Sequence, residues 1–174
     1  MIKDLVASNR SYRRFDERVS IDRETLVELV DLARLSASGG NGQPLKFILS
    51  ADAETNGAIF PNLAWAGFLA DWVGPADGER PSAYIVIVND TEICKYPGVD
   101  HGIASQSILL GAVEKGLGGC MIGSINHEGL REVLDLDNRY EIVLVLAIGK
   151  PAETVEVEPM PESGKTAYWR DEAG

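Results

Sequence analysis

The stretch "DHGIASQSILLGAVEKGLGGCMIGSI", residues 100–125, decides the fold. Asp100 stands where a helix N-cap belongs, and Gly116 ends the run. Between them small and apolar residues fill nearly every face. Ile103, Ala104, Ser107, Ile108, Gly111 and Ala112 make one close-packing face. A helix without a broad polar face belongs at the centre of a molecule. Its need for apolar cover all round points to a second subunit that helps to bury it. "CMIGSI" (120–125) follows as a strand or extended turn.

Working outward, "YEIVLVLAIGKP" (140–151) is a long apolar strand closed by Gly149 and Pro151, and "AYIVIVND" (83–90) is a β-branched strand closed by Asn-Asp. "LKFILS" (45–50) reads as a shorter strand. Ahead of it, "SIDRETLVELVDLARLSASGG" (20–40) is an amphipathic helix, with Leu26, Leu29, Val30 and Ala33 at i, i+3, i+4 and i+7. Ser20 or Asp22 caps its start, and Gly39-Gly40 stop it. "NHEGLREVLDL" is a short helix capped by Asn126. Residues 59–81 carry two of the three tryptophans and end in Gly74-Pro75, Gly78 and Pro81, which reads as a partly helical insertion laid over a surface. Residues 151–174 read as an extended acidic tail. Nothing divides the chain, so 1–174 reads as one domain with a single helix-covered sheet.

Bulk properties narrow the function. The chain has 174 residues and a formal net charge of −11, which disfavours phosphate backbones, and it shows no basic stripe. General nucleic-acid binding is set aside. No segment has the length of a signal-peptide core or a membrane helix, so the expectation is a soluble cytoplasmic protein. Two cysteines, Cys94 and Cys120, make no disulfide framework. Two histidines and no acidic cluster at ligand spacing leave no metal site to name. Cys120 reads as a buried small hydrophobe rather than a nucleophile.

Two motifs tempt and fail. In "GLGGCMIG" a dinucleotide fingerprint from Gly116 and Gly118 would need glycine at 121, which is Met, and the stretch follows a helix rather than a strand. In "SGKT" (163–166) the first P-loop glycine would fall on Pro159.

Three pieces remain: "NRSYRRF" (9–15), "SASGGNGQP" (36–44) and "GLGGCMIGS" (116–124). In this order and at these separations they resemble the nitroreductase family of FMN-dependent oxidoreductases, from about residue 2 to 150. Asn9-Arg10-Ser11-Tyr12-Arg13-Arg14-Phe15 is similar to the family's opening Arg-Arg/His-Ser-x-Arg/Lys-x-Phe. Ser36 to Pro44 is similar to its Ala-Pro-Ser-x-x-Asn-x-Gln-Pro. Asn9 departs from the pattern, standing where many relatives have arginine.

The chemistry of the residues agrees with the likeness. FMN carries a dianionic phosphate, a polar ribityl chain and a flat ring, and an acidic protein must gather local cations to hold it. Arg10 and Ser11 offer a charge-assisted donor and a hydroxyl to a phosphate. The resemblance puts Arg13 beside the pyrimidine edge of the flavin, where a fixed cation favours the reduced ring. Arg14 reads as a structural ion-pair partner. The resemblance further implies that Ser38, Gly39, Asn41 and Gln43 reach the flavin of the other subunit, and that Met121, Ile122 and Gly123 line the ring edge. After Lys150 the only cations are Lys165 and Arg170, and Lys165 is expected to complete the phosphate clamp. Residues 59–81 would form the substrate wall, with Trp65, Phe68 and Trp72 as candidates, and Glu79 and Arg80 as a local ion pair.

The implied architecture is α+β, with a mainly antiparallel sheet and an intertwined homodimer. The implied activity takes hydride from NADH or NADPH and reduces a nitroaromatic, quinone or similar small molecule, with no catalytic side chain required. Flavin storage or sensing without turnover, a dimer without cofactor, and a dehalogenating or flavin-fragmenting relative stay open at this point.

Overall fold

The computed structural model describes residues 1–171; the last three positions of the expected extended tail lie outside the described residues. Four strands, β1 (Leu45–Ser50), β2 (Ala83–Asp90), β3 (Gly118–Ile122) and β4 (Tyr140–Gly149), form one sheet in the order β1-β2-β4-β3, every pairing antiparallel. All eight residues of β2 are buried, which explains its continuous apolar run: both faces are covered.

The helices are α1 (Ile2–Ser8), α2 (Arg23–Arg34), α3 (Ala53–Ile59), α4 (Asp100–Glu114) and α5 (His127–Val133). On one face Leu26 and Leu29 of α2 and Ile108 and Ala112 of α4 pack against Ile85, Ile87, Leu146 and Ile148. On the other, Ile59 of α3, Leu63, Trp65 and Leu130 of α5 pack against Tyr84, Val86, Val145 and Ala147. Each buried aliphatic side chain of this kind contributes about 2 kcal/mol. The α+β architecture and the antiparallel sheet expected from the sequence are therefore present.

Several boundaries differ. Helix α2 ends at Arg34, and Gly39–Asn41 form a separate 3₁₀ turn; Asp22, not Ser20, is its cap, accepting from Thr25 N. Strand β3 begins two residues earlier than the "CMIGSI" reading and ends at Ile122. Helix α3 was not expected from the sequence; Asp52 caps it through Thr55 N, but Asn56 and Gly57 weaken its helical signal. Asp100 is not the N-cap of α4. Val99 holds that position, and the Asp100 side chain is turned onto the loop before β1. The face read from the sequence also shifts. Ala104, Ile108, Gly111 and Ala112 are buried, together with Ser105 and Leu109, whereas Ile103 is exposed. The reason is that α4 lies against α2 on one side and the sheet on the other, leaving Gly102, Ile103 and Gln106 open.

β2 ends in Asp90, whose fully buried side chain accepts from Arg139 Nε at 2.7 Å and Nη2 at 2.5 Å. The Arg139 guanidinium holds the Asp90 carboxyl below its ordinary value of 3.8. Because the folded value lies below the unfolded one, the stabilising contribution is complete above the unfolded value and fades as pH falls through the folded one. Wild type is expected to exceed Asp90→Asn in stability at about pH 7, with the gap narrowing below about pH 4. Urea unfolding at both ends of that range measures it, and a gap that widens in acid would contradict the linkage.

Candidate functional site

After α1 the chain runs along the β3 edge of the sheet. Ser11 forms a parallel bridge with Gly119, Tyr12 N donates to Gly119 O at 3.0 Å, and Phe15 bridges Pro151. Phe15 is wholly buried. Glycines make the approach possible. A Cβ on Gly118 would stand 2.5 Å from Tyr12 Cδ2, and one on Gly149 would stand 2.7 Å from Phe15 Cδ1. The glycines of "GLGG" thus admit the N-terminal segment, a role no fingerprint reading supplies.

That docking fixes the arginines. Arg10 Nη2 donates to Val6 O at 2.8 Å, closing the last turn of α1. Its Nε is buried and has no hydrogen-bond partner among the described residues. The Ser11 side chain is exposed beside it. Arg13 Nη1 donates to Ser11 O at 3.3 Å, and its guanidinium lies 4.4 Å from the centre of the Tyr168 ring. Arg14 pairs with Glu79 at 3.3 Å, as its reading as a structural partner requires. The expected Glu79–Arg80 pair is corrected: Glu79 faces Arg14, and Arg80 reaches back to Asp77 at 2.7 Å.

The aromatic segment reaches the same place from the other side. Ala64 N donates to Ser124 O at 2.9 Å, and Leu63 bridges Ile125, so residues 63–72 leave the end of β3. Met121 is 38% exposed at that strand and Ile122 is buried. A Cβ on Gly123 would meet only Leu144 Cδ1, at 4.0 Å. Trp65 is buried in the core, Phe68 is exposed and edge-on to Tyr168 at 5.2 Å, and Trp72 carries the Arg170 guanidinium at 4.2 Å. Of the three aromatic candidates, Trp65 therefore holds the segment down while Phe68 and Trp72 meet the tail.

The Gly-rich turn is tied to the start of α4. Ser38 Oγ donates to Asp100 Oδ2 at 2.6 Å, Gly39 N donates to Oδ1 at 2.9 Å, and Gln43 N donates to Ser38 Oγ at 2.9 Å. Asn41 and Gln43 both have positive φ, 56° and 50°, a strained backbone that the Asp100 anchor holds. Gln43 Nε2 donates to Asn41 Oδ1 at 3.0 Å. A cleft of about 340 Å³ opens here between α2, the turn and β1, and Lys46 lines it with Ser38, Gln43 and Asp100.

The sequence reading missed Asp100 as an anchor, Lys46, Glu153, Tyr168 and Arg170. Lys165 is exposed on the tail, with its backbone N 3.5 Å from Ser163 Oγ. It is Arg170 that comes up to the arginine cluster. Burial pushes the Cys120 thiol up, as befits a core cysteine at the β3–β4 pair. Among the described residues no His, Cys, Asp and Glu group could hold a metal ion, and no helix is long and apolar enough to cross a membrane.

Comparison with known proteins bears on the fold and the family. The NADPH-flavin oxidoreductase of Vibrio harveyi is 25% identical, over 90% of this chain and 68% of that protein. Among solved structures, a nitroreductase family protein from Streptococcus pneumoniae superimposes with a TM-score of 0.76 at 16% identity, covering 98% of this chain and all of that one. An FMN-dependent nitroreductase from Clostridium difficile gives 0.72 at 23% identity, covering 95% of each. The sequence pattern of the Nitroreductase family matches residues 6–150, and the chain belongs to that family.

Proposed function

We propose that the protein is an FMN-dependent oxidoreductase. It draws reducing equivalents from NADH or NADPH and passes them to a nitroaromatic, quinone or similar small acceptor. One observation carries the reading. The docking of "NRSYRRF" on Gly119 brings Ser11 and Tyr12 onto β3, the strand that carries Met121 and Ile122, and sets Arg13 over Tyr168, whose ring is edge-on to Phe68 of the aromatic segment. The names of relatives, an NADPH-flavin oxidoreductase and an FMN-dependent nitroreductase, point the same way.

The residues suit the cofactor. Arg10 has a buried, unpartnered Nε, an unfavourable state that an anionic ligand would relieve. Gly123 leaves open space where a side chain would stand. In this reading Arg10 and Ser11 hold the phosphate, with Lys165 as a further cation from the tail, and Arg13 faces the pyrimidine edge of the ring. Met121, Ile122 and Gly123 line the other edge. Ser38, Gly39, Asn41 and Gln43 reach the flavin of a second copy, across an intertwined homodimer that would cover the open side of α4. Residues 1–174 act as one domain in the cytoplasm, with 59–81 as the wall on which Phe68 and Trp72 meet the acceptor, while Trp65, packed in the core, holds that wall down rather than touching the acceptor as the sequence had suggested.

Bound FMN supplies the hydride and electron chemistry. The protein's own part is to hold the phosphate, place a cation at the ring and limit what reaches the open side. No side chain acts as nucleophile.

The test is direct. Purified protein should be yellow, or become so with added FMN. Its flavin absorbance should bleach anaerobically with NADH or NADPH and return on adding a quinone or nitroaromatic. A colourless protein that ignores FMN sinks the proposal. Tight flavin with no nicotinamide oxidation by any acceptor would instead favour storage or sensing.

A further inference from the structure

Glu153 sits in an acidic tail, yet its side chain is only 7% exposed. Its Oε1 accepts from the backbone N–H of both Arg13 and Arg14, and Oε2 accepts from Arg170 Nη2 at 2.9 Å. The strand-like clip around it is short. Asp16 N donates to Lys150 O at 2.8 Å and Ala152 N donates to Arg14 O at 3.0 Å. One carboxylate thus meets two backbone amides of the arginine cluster and a third guanidinium from the tail.

The far side of that guanidinium is the aromatic wall. Arg170 stacks on Trp72, two residues beyond Tyr168. The Tyr168 ring lies under Arg13 and edge-on to Phe68, and its hydroxyl accepts from Phe68 N at 3.3 Å. Burial lowers the Arg170 pKa, Glu153 opposes this, and Arg14 and Arg13 add to the lowering. Three cations therefore crowd one place, and Glu153 is the carboxylate that Arg170 meets there.

We infer that Glu153 is a positioning residue: it sets the backbone that carries Arg13 and, through Arg170, latches Tyr168 and the tail across the aromatic wall. This rests on the function proposed above. The two carboxylate oxygens divide the work. Oε1 serves the cofactor side through the Arg13 and Arg14 amides. Oε2 serves the acceptor side through Arg170, Trp72 and Tyr168. Breaking a buried carboxylate–guanidinium pair leaves the other charge uncompensated, which drives the tail off the wall.

Two variants separate the halves. Glu153→Gln keeps a carbonyl oxygen for the two amides but removes the charge that holds Arg170. Its FMN dissociation constant, read by flavin fluorescence, should stay within about threefold of wild type, while KM for a quinone acceptor should rise about tenfold with kcat little changed. Arg170→Ala should reproduce that KM shift. Glu153→Ala loses both halves, and its FMN dissociation constant should rise about tenfold, because the backbone N–H groups of Arg13 and Arg14 lose the acceptor they share. If Glu153→Ala does not fold, judged by circular dichroism, the Glu153→Gln and Arg170→Ala pair decides alone.

The inference is overturned if wild type binds FMN and both glutamate variants match it in affinity and in KM. It is also overturned if Glu153→Gln and Arg170→Ala change kcat and KM in unrelated ways. A wild type that binds no FMN would defeat the proposed function itself. The latch would then be judged by trypsin cleavage at exposed Lys165, expected to be faster in Glu153→Gln and Arg170→Ala than in wild type; equal rates would overturn it.

Discussion

Replacing Gly119 by valine is expected to cost about 3 kcal/mol of stability or more, and to lower the melting temperature by roughly 6–12 °C. A Cβ there would stand 2.6 Å from the Ala147 carbonyl oxygen and 2.6 Å from Leu109 Cδ2. The leucine can turn aside, but the carbonyl oxygen belongs to β4 at the middle of the β3–β4 ladder, where Cys120 pairs with Ala147. Backbone must therefore move. The same residue bridges Ser11 and accepts from Tyr12 N, so the shift also unseats the arginine segment. Gly57→Ala is the control. Nothing lies within 4 Å of its Cβ position in α3, and it should stabilise by up to about 1 kcal/mol. Thermal melts of both variants make the comparison. A Gly119→Val protein that melts with wild type would show that the edge accommodates side chains and that glycine is not needed for docking.

That close approach also shows what the sequence could reveal. Strand β2 was legible because it is covered on both faces: "AYIVIVND" reads as a strand from its β-branched run alone, and it is buried throughout. Helix α2 was legible from Leu26, Leu29 and its Asp22 cap. The arginine cluster, the Gly-rich turn and the end of β3 were legible as short motifs in order. The roles of the glycines were not, because Gly118 and Gly149 make room for Tyr12 and Phe15, more than 100 residues away in sequence. Asp100 misled for a related reason. An acid at a helix start reads as a cap, but its side chain is taken by Ser38 and Gly39, and that long-range contact leaves no periodic trace. Glu153, Tyr168 and Arg170 were hidden in a tail whose composition reads as solvated, although each is fixed by residues it meets only in the fold.

Arg10→Ala and Arg13→Ala should fail differently. Arg10 offers a charged donor with a buried, unpartnered Nε. Losing a charge-assisted bond of about 1.5–3 kcal/mol predicts FMN binding weaker by about 10–150-fold. The same side chain closes α1 through Val6 O, so some loss is structural. Melts without FMN measure that part, expected to be about 1 kcal/mol, and the remainder belongs to the ligand. Arg13 should matter less for affinity and more for the ring. Without its cation the bound flavin should be harder to reduce, with a midpoint potential lower by about 30 mV, equivalent to a tenfold two-electron shift. Arg13→Lys separates charge from shape. It keeps a cation at the ring but loses the planar stack on Tyr168, so the potential should recover while any effect passed through the tail persists. Fluorescence titration and anaerobic redox titration of the three variants read both quantities. If all three match wild type in affinity and potential, the cations near the N-terminus decorate the surface. If affinity tracks Arg10 and potential tracks Arg13, an acidic chain has divided one anionic ligand between two arginines that the Gly119 edge holds in register.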